Sequence, residues 1–222
     1  MPRLKVNKDF FKKWSPEMAY ILGFIFADGC LVEYNNGYYG LDITTKDLPL
    51  LKLIKKQLGA EHKIGRKERG HRIQIRNKHI YRDLLNLGLI PRKSKVVRFP
   101  SVAEKYSSHF IRGLFDGDGS VMVWSEPRWR HTCQIRVSFT SGSQSFLKDL
   151  KKYLLRQAGL LRGKVSPITR GYHLRYLSMS ECIALYKFMY QGNGNLYLKR
   201  KKDKFKLFLS LKYKESKNKY IV

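Results

Sequence analysis

Apolar positions along this chain change period repeatedly, and the order of the changes occurs twice. Residues 20–29, Tyr-Ile-Leu-Gly-Phe-Ile-Phe-Ala-Asp-Gly, read as an apolar helix with a small residue at every fourth position, closed by an acid and a glycine. Ser15-Pro16-Glu17 supplies an N-cap, a proline at the first helical position and an early acid, so this helix is predicted over 15–29. Residues 31–33 read as strand, Asn35-Asn36-Gly37 marks a hairpin turn, and 38–45 returns as a second strand. Leu48, Leu51, Ile54 and Leu58 then recur at helical spacing up to Gly59. A second hairpin, with strands near 62–66 and 71–76 around Gly70, leads to a helix over 78–87 before Gly88.

The same order resumes at residue 107. Phe110-Ile-Arg-Gly-Leu-Phe-Asp-Gly-Asp-Gly119 is the second apolar helix, predicted over 107–119 with Ser107 or Ser108 as its cap. Strands follow at 120–124 and 132–140, beyond a loop through Pro127. A helix through Phe146, Leu150, Tyr153 and Leu154 ends at Gly159. Strands near 163–168 and 172–178 flank Arg170-Gly171, and a helix covers 180–190. A basic helix over about 198–213 packs through Phe205, Phe208 and Leu209, and 212–222 reads as a frayed basic tail. The expected fold is α+β, with two pseudo-symmetric αββαββα repeats at 1–98 and 107–222 and a linker at 99–106.

Gly23 and Ala27 share one face of the first apolar helix, as Gly113 and Gly117 share one face of the second. Small residues at i, i+4 let two helix backbones approach closely, so Gly23 and Gly113 are expected in a helix–helix contact on the pseudo-two-fold axis. Asp28 and Asp118 would then meet at the end of the seam. One Asp beside a Gly at a helix end is common; a duplicated pair is not. Two carboxylates a few ångströms apart repel, and a divalent cation relieves the conflict while activating water for in-line attack at phosphorus. Mg2+ suits such a site because carboxylate, phosphate and water can supply its oxygen ligands, and Mn2+ or Ca2+ could take the same place. Asp116-Gly-Asp-Gly-Ser-Val121 is no EF-hand loop, since it lacks glycine at the sixth position.

Charge names the partner. The 222 residues carry 45 Lys and Arg against 17 Asp and Glu, a formal net charge of +28, which predicts attraction to a polyanion. With 43% apolar and 13% aromatic residues the chain can bury a core. No apolar run approaches the ~20 residues of a membrane span and no secretory signal opens the sequence, so membrane is excluded as partner. Cys30, Cys133 and Cys182 are odd in number and without a CxxC pair, which argues for a reducing, intracellular compartment and against zinc or disulfides.

Strand alternation then assigns a face. Leu41 and Ile43 point to the core, leaving Tyr38, Gly40, Asp42 and Thr44 outward; Ile73 and Ile75 leave Arg72, Gln74 and Arg76 outward. In the second half Gln134, Arg136, Ser138, Thr140, His173 and Arg175 face out. Val32, Tyr34, Met122 and Trp124 complete the outward set. A twisted antiparallel ribbon of this kind fits a major groove, where Arg reads guanine and Gln reads adenine. Lys46 and Lys78, at strand-to-helix junctions, are candidates to stabilise the reacting phosphate.

The two segments Ile21-Leu-Gly-Phe-Ile-Phe-Ala-Asp-Gly29 and Ile111-Arg-Gly-Leu-Phe-Asp-Gly-Asp-Gly119, with Leu89-Ile-Pro-Arg-Lys-Ser94 after the third helix, carry a resemblance. The chain resembles a single-chain LAGLIDADG homing endonuclease over nearly all its length. The resemblance implies sheets forming a saddle over double-stranded DNA and metal-dependent cleavage of both strands of a long site, leaving short 3′ overhangs. It also implies a monomer that acts on no small molecule, located in a prokaryotic cytoplasm or nucleoid, or in an organelle. The family's catalytic acid falls on Asp28 and Asp118, and the carbonyls of Ala27 and Gly117 are implied as further metal ligands. The sixth motif position is Phe26 in one copy and Asp116 in the other, so no metal role is assigned to Asp116. Thr45 and Ser141 match polar positions that order solvent near the metal. Two alternatives share the fold: a group I intron RNA maturase, and a catalytically silent DNA-binding regulator. Intact acids in both copies favour the enzyme.

Overall fold

Ser15 accepts a hydrogen bond from Met18 N at 3.1 Å and Pro16 follows it, so α1 (Pro16–Asp28) starts where its capping chemistry places it. The computed structural model describes residues 4–33, 37–68, 70–126, 132–191 and 194–218. From α1 the chain runs directly into β1 (Gly29–Glu33), then β2 (Tyr39–Thr45), α2 (Leu48–Gln57), β3 (Ile64–Lys67), β4 (Gly70–Arg76) and α3 (Lys78–Asn86). The second half repeats the series as α4 (Ser107–Asp118), β5 (Gly119–Glu126), β6 (Thr132–Ser141), α5 (Gln144–Ala158), β7 (Lys164–Ile168), β8 (Gly171–Tyr176) and α6 (Met179–Tyr190). A seventh helix, α7 (Lys199–Asn218), follows. Both sheets are antiparallel and share one topology, β1-β2-β4-β3 and β5-β6-β8-β7. Gly59 and Gly159, at φ 55° and 66°, end α2 and α5 in the left-handed conformation that glycine tolerates.

The two apolar helices form the centre of the molecule. Met18–Phe26 of α1 are buried throughout, as are Phe110–Phe115 of α4, because neither segment has a polar stripe to turn to water. Their small residues set how closely they pack. A Cβ on Gly23 would stand 2.1 Å from Phe110 O, and one on Gly113 would stand 1.9 Å from Tyr20 O. One on Gly117 would meet the Ala27 methyl at 2.2 Å. Around this seam the inner faces of the sheets contribute Leu41, Ile43, Ile73 and Ile75 on one side and Ile135, Val137, Phe139 and Leu174 on the other, all buried.

Several local expectations change. Neither predicted serine caps α4: Ser107 is its first helical residue, and its hydroxyl bonds Glu104 O at 2.7 Å and Tyr153 OH. β5 runs to Glu126, two residues beyond the predicted end. The tail expected from 212 onward is helical to Asn218, because Glu215 accepts from Cys133 N at 2.5 Å and from Lys212 Nζ at 2.7 Å. The connector between halves is packed. Ser143 Oγ donates to Val97 O at 2.8 Å, Arg98 pairs with Asp149, and residues 104–106 form a 3-10 turn. The Asn35-Asn36 turn, Tyr34 and the Pro127 loop lie outside the described residues.

Candidate functional site

Each central helix delivers its last residue to the same end of the seam, and the following glycine enters the first strand of a sheet. Burial, then the neighbouring Asp118 carboxylate, raise the Asp28 pKa to about 6. Burial also raises that of Asp118. By surface exposure Asp28 is half-buried, while Asp118 reaches more solvent. Lys93 and Lys201 counter both shifts.

These lysines occupy matching places. Lys93, in a 3-10 turn after α3, donates to Phe26 O at 2.6 Å and Ala27 O at 2.8 Å. Lys201, in the first turn of α7, donates to Phe115 O at 2.6 Å, Asp116 O at 2.8 Å and Gly119 O at 2.6 Å. Gly117 O lies 3.5 Å from it. Carbonyls at a helix C-terminus lack intrahelical partners and carry the negative end of the dipole, so each helix draws an ammonium to the turn that bears its acid. Burial lowers the pKa of both lysines, that of Lys201 to about 8. Periodicity alone gives these lysines no role, although the sequence holds a signal: the dipeptide Arg-Lys recurs after the third helix of each half, at 92–93 and 200–201. Arg200 adds a bidentate pair across the halves, to Asp47 Oδ1 at 3.0 Å and Oδ2 at 2.7 Å. Asp47 in turn pushes the Asp28 pKa further up.

Asp116 has a separate task. Only 2% exposed, it accepts from Tyr20 OH at 2.7 Å and Leu198 N at 2.8 Å, and burial raises its pKa to about 6. It ties the approach to α7 onto both central helices.

Asp28 and Asp118, with the carbonyls of Ala27 and Gly117 beside them, offer hard oxygen donors. A carbonyl has two lone pairs, so Ala27 O can hold Lys93 and one further ligand. Among the described residues no group of three or more His, Cys, Asp or Glu side chains could chelate a metal. A cation here would therefore complete its shell with water and phosphate, as Mg2+ does. Two neighbouring carboxylates raised by burial, Asp28 also by Asp118, fit a divalent cation.

The predicted lysines separate. Lys46 is exposed just beyond Thr45, at the end of β2 that adjoins the carboxylates. Lys78 stands beyond Arg76 at the opposite end of the sheet, with its ammonium 5.7 Å from the Tyr39 ring centroid. From Ile73, on the rung of Gly29, to Arg76 is about 10 Å of strand, so Lys78 is not brought to the carboxylates. Thr45 Oγ1 and Ser141 Oγ do the same job in the two halves, accepting from Asp47 N at 3.3 Å and Ser143 N at 3.1 Å.

On the outward sheet faces, Tyr38, Thr44, Arg76, Met122, Trp124 and Thr140 are exposed. Val32, Arg72, Gln74, Gln134, Arg136, His173 and Arg175 are half-buried. Ser138 is 8% exposed and bonds Ser120 Oγ at 2.8 Å; His173 and Arg175 both reach Ser166 Oγ. Asp42 is also buried, in an ion pair with Arg72. A cleft of about 1250 Å3 opens on the first sheet between Tyr38, Arg72, Gln74, Arg76 and Lys78.

Residues 105–186 match the sequence model of a LAGLIDADG-like domain. Among solved structures, the LAGLIDADG meganuclease I-AabMI bound to uncleaved DNA superposes with a TM-score of 0.65, at 15% identity over 92% of each chain. The homing endonuclease I-SmaMI bound to cleaved DNA gives a TM-score of 0.65 at 16% identity over 91% of each chain. I-SmaMI bound to uncleaved DNA with calcium ions gives 0.64 at 16% identity, covering 91% of this chain and 93% of that one. At these identities the likeness is one of fold. The probable translation initiation factor IF-2 of Thermococcus kodakarensis is 40% identical over 68 residues, which are 29% of this chain and 5% of that protein. The chain thus matches a small fraction of that relative's length.

Proposed function

We propose that this chain, whose second half is a LAGLIDADG-like domain and whose whole length has the two-repeat fold of the single-chain LAGLIDADG meganucleases, is a site-specific endonuclease that cuts both strands of duplex DNA. The observation that carries the reading is the meeting of Asp28 and Asp118 between Lys93 and Lys201, at the root of two basic ribbons. DNA bound to the related folds supports the same partner.

Asp28 and Asp118, with the carbonyls of Ala27 and Gly117, would hold Mg2+ or a similar divalent cation, which when bound supplies a Lewis acid and a water of lowered pKa. Each carboxylate would serve one strand, holding the cation that offsets its repulsion of the scissile phosphate at its own helix end. Lys93 and Lys201 supply positive charge where the pentavalent phosphorane and the leaving oxygen become more negative, without rearranging during the step. Lys46, exposed beside the pair, contacts the flanking phosphate backbone, and Lys78, remote from it, is a backbone contact of the first ribbon. The outward residues of both sheets read the major groove on either side of the cut, and the staggered strands end in short 3′ overhangs.

A randomised duplex library incubated with Mg2+ and sequenced at its cut ends identifies the target. On that target, Asp28→Asn or Asp118→Asn abolishes double-strand cleavage while retaining or tightening DNA binding, because a negative charge near phosphate is removed. Full cleavage by both variants would exclude the two-acid assignment.

A further inference from the structure

An acid faces the cleft side of the first sheet in a chain that carries +28. Asp42 sits mid-strand on β2, opposite Cys30 of β1 and Gln74 of β4. Strand alternation places it on the polar face, yet it is 8% exposed. Its Oδ2 pairs with Nη2 of Arg72, which projects from the adjoining rung opposite Thr44, while its Oδ1 is buried without a hydrogen-bond partner. The Arg72 side chain keeps 25% of its surface exposed and lines the cleft.

This arrangement is not explained by stability alone. A desolvated ion pair rarely stabilises a fold more than apolar residues of the same volume, and an acceptor left unpartnered adds a cost. On a surface that meets phosphate, an acid also weakens binding. The equivalent rung of the second sheet, Ser120–Ser138–Arg175, carries no acid. What Asp42 does provide is direction. A free arginine samples many rotamers; one tied through Nη2 presents its remaining donors in a fixed plane. The tied pair presents the exposed guanidinium donors of Arg72 to the cleft, while the carboxylate that holds them stays buried. In the major groove a G·C pair offers the complement to those donors, the two acceptors O6 and N7 of guanine. An A·T pair puts the adenine amino group against the guanidinium, donor against donor.

We propose that Asp42 is a specificity-determining residue that orients Arg72 to read a single G·C pair under the first sheet, the exposed part of the guanidinium donating to guanine O6 and N7. The proposal rests on the DNA-recognition reading above. Binding selections from a randomised duplex library, run without divalent metal so that nothing is cut, compare the parent with Asp42→Asn, Arg72→Lys and the double variant. The parent shows a G·C preference at one position that both single variants lose, by about 5- to 150-fold. The double variant loses no more than either single one, and Asp42→Asn binds unrelated duplex as well as the parent or better. Retention of that preference in Asp42→Asn overturns the proposal and leaves Asp42 a structural ion pair; retention in Arg72→Lys removes Arg72 as the reader. Should Asp42→Asn fail to fold, Asp42→Ser, the residue type on this rung of the second sheet, is held to the same outcomes. A parent without base preference anywhere overturns the DNA-recognition reading and this proposal together, whereas a defined target that Asp42→Asn leaves unchanged overturns this proposal alone.

Discussion

At the scale of single residues, charge has been placed where it is costly. Asp28 titrates near 6 because protein replaces water around it and a second carboxylate stands beside it. The sign of the consequence is fixed by the direction of the shift. Its folded pKa lies above the ordinary unfolded value, so the metal-free folded state holds this proton more tightly than the unfolded chain. The group therefore favours folding at low pH, and that contribution is lost as pH rises through about 6. A divalent cation needs the ionised pair and reverses the penalty. Calorimetry should show Mg2+ raising Tm at about pH 7.5, with an increment that fades as pH falls below about 6. A hundredfold excess over Kd corresponds to about 2.7 kcal/mol. In Asp28→Asn the increment should vanish, and the metal-free variant should melt above the metal-free parent at the higher pH. An Mg2+ effect of equal size at both ends of the range would mean that the cation binds elsewhere.

At the scale of elements, the contact between α1 and α4 decides whether the carboxylates meet at all. Gly113 and Gly23 leave no room for a methyl group, since the atoms it would strike are backbone carbonyls of the facing helix. Gly113→Ala should lower stability by about 1–3 kcal/mol or more, as overpacking does, and should slow cleavage by parting the helix ends. Thermal melts and single-turnover rates measure both; an unchanged Tm would deny the close crossing. The same seam was legible in the sequence because small residues at every fourth position have few other uses in so apolar a helix. The lysines that complete the site left only a faint trace, a recurring Arg-Lys dipeptide, because what Lys93 and Lys201 meet depends on where the two central helices end.

At the scale of the whole molecule, net charge and duplication act together. Two sheets of identical topology, on either side of a pseudo-two-fold seam, spread basic residues along a double interface. Each neutralised phosphate releases counterion, so log affinity should fall linearly with log salt, at about 0.9 per contact on duplex DNA. A titration from low to moderate salt that returned a slope near zero would remove the polyanion from the account. The halves are also clasped crosswise. Arg200 reaches Asp47 from the far half, and Val97 and Arg98 of the connector hold Ser143 and Asp149. Each carboxylate is thereby surrounded by groups from both repeats.

The sequence by itself determined the repeat, the order of its elements and the crossing of the central helices, and its net charge pointed to a polyanion. Those properties follow from local periodicity, turn chemistry and net charge, which need no knowledge of the path between elements. Tertiary structure alone decided which cations face the acids, bringing Lys93, Lys201 and Arg200 to the seam and leaving Lys78 at the far end of the sheet. It also paired Asp42 with Arg72, which strand alternation alone presents as two separate outward residues. Side-chain partnerships across strands and between halves are set by register and crossing distance, and an ammonium settles at a helix terminus only once the fold has carried its backbone there.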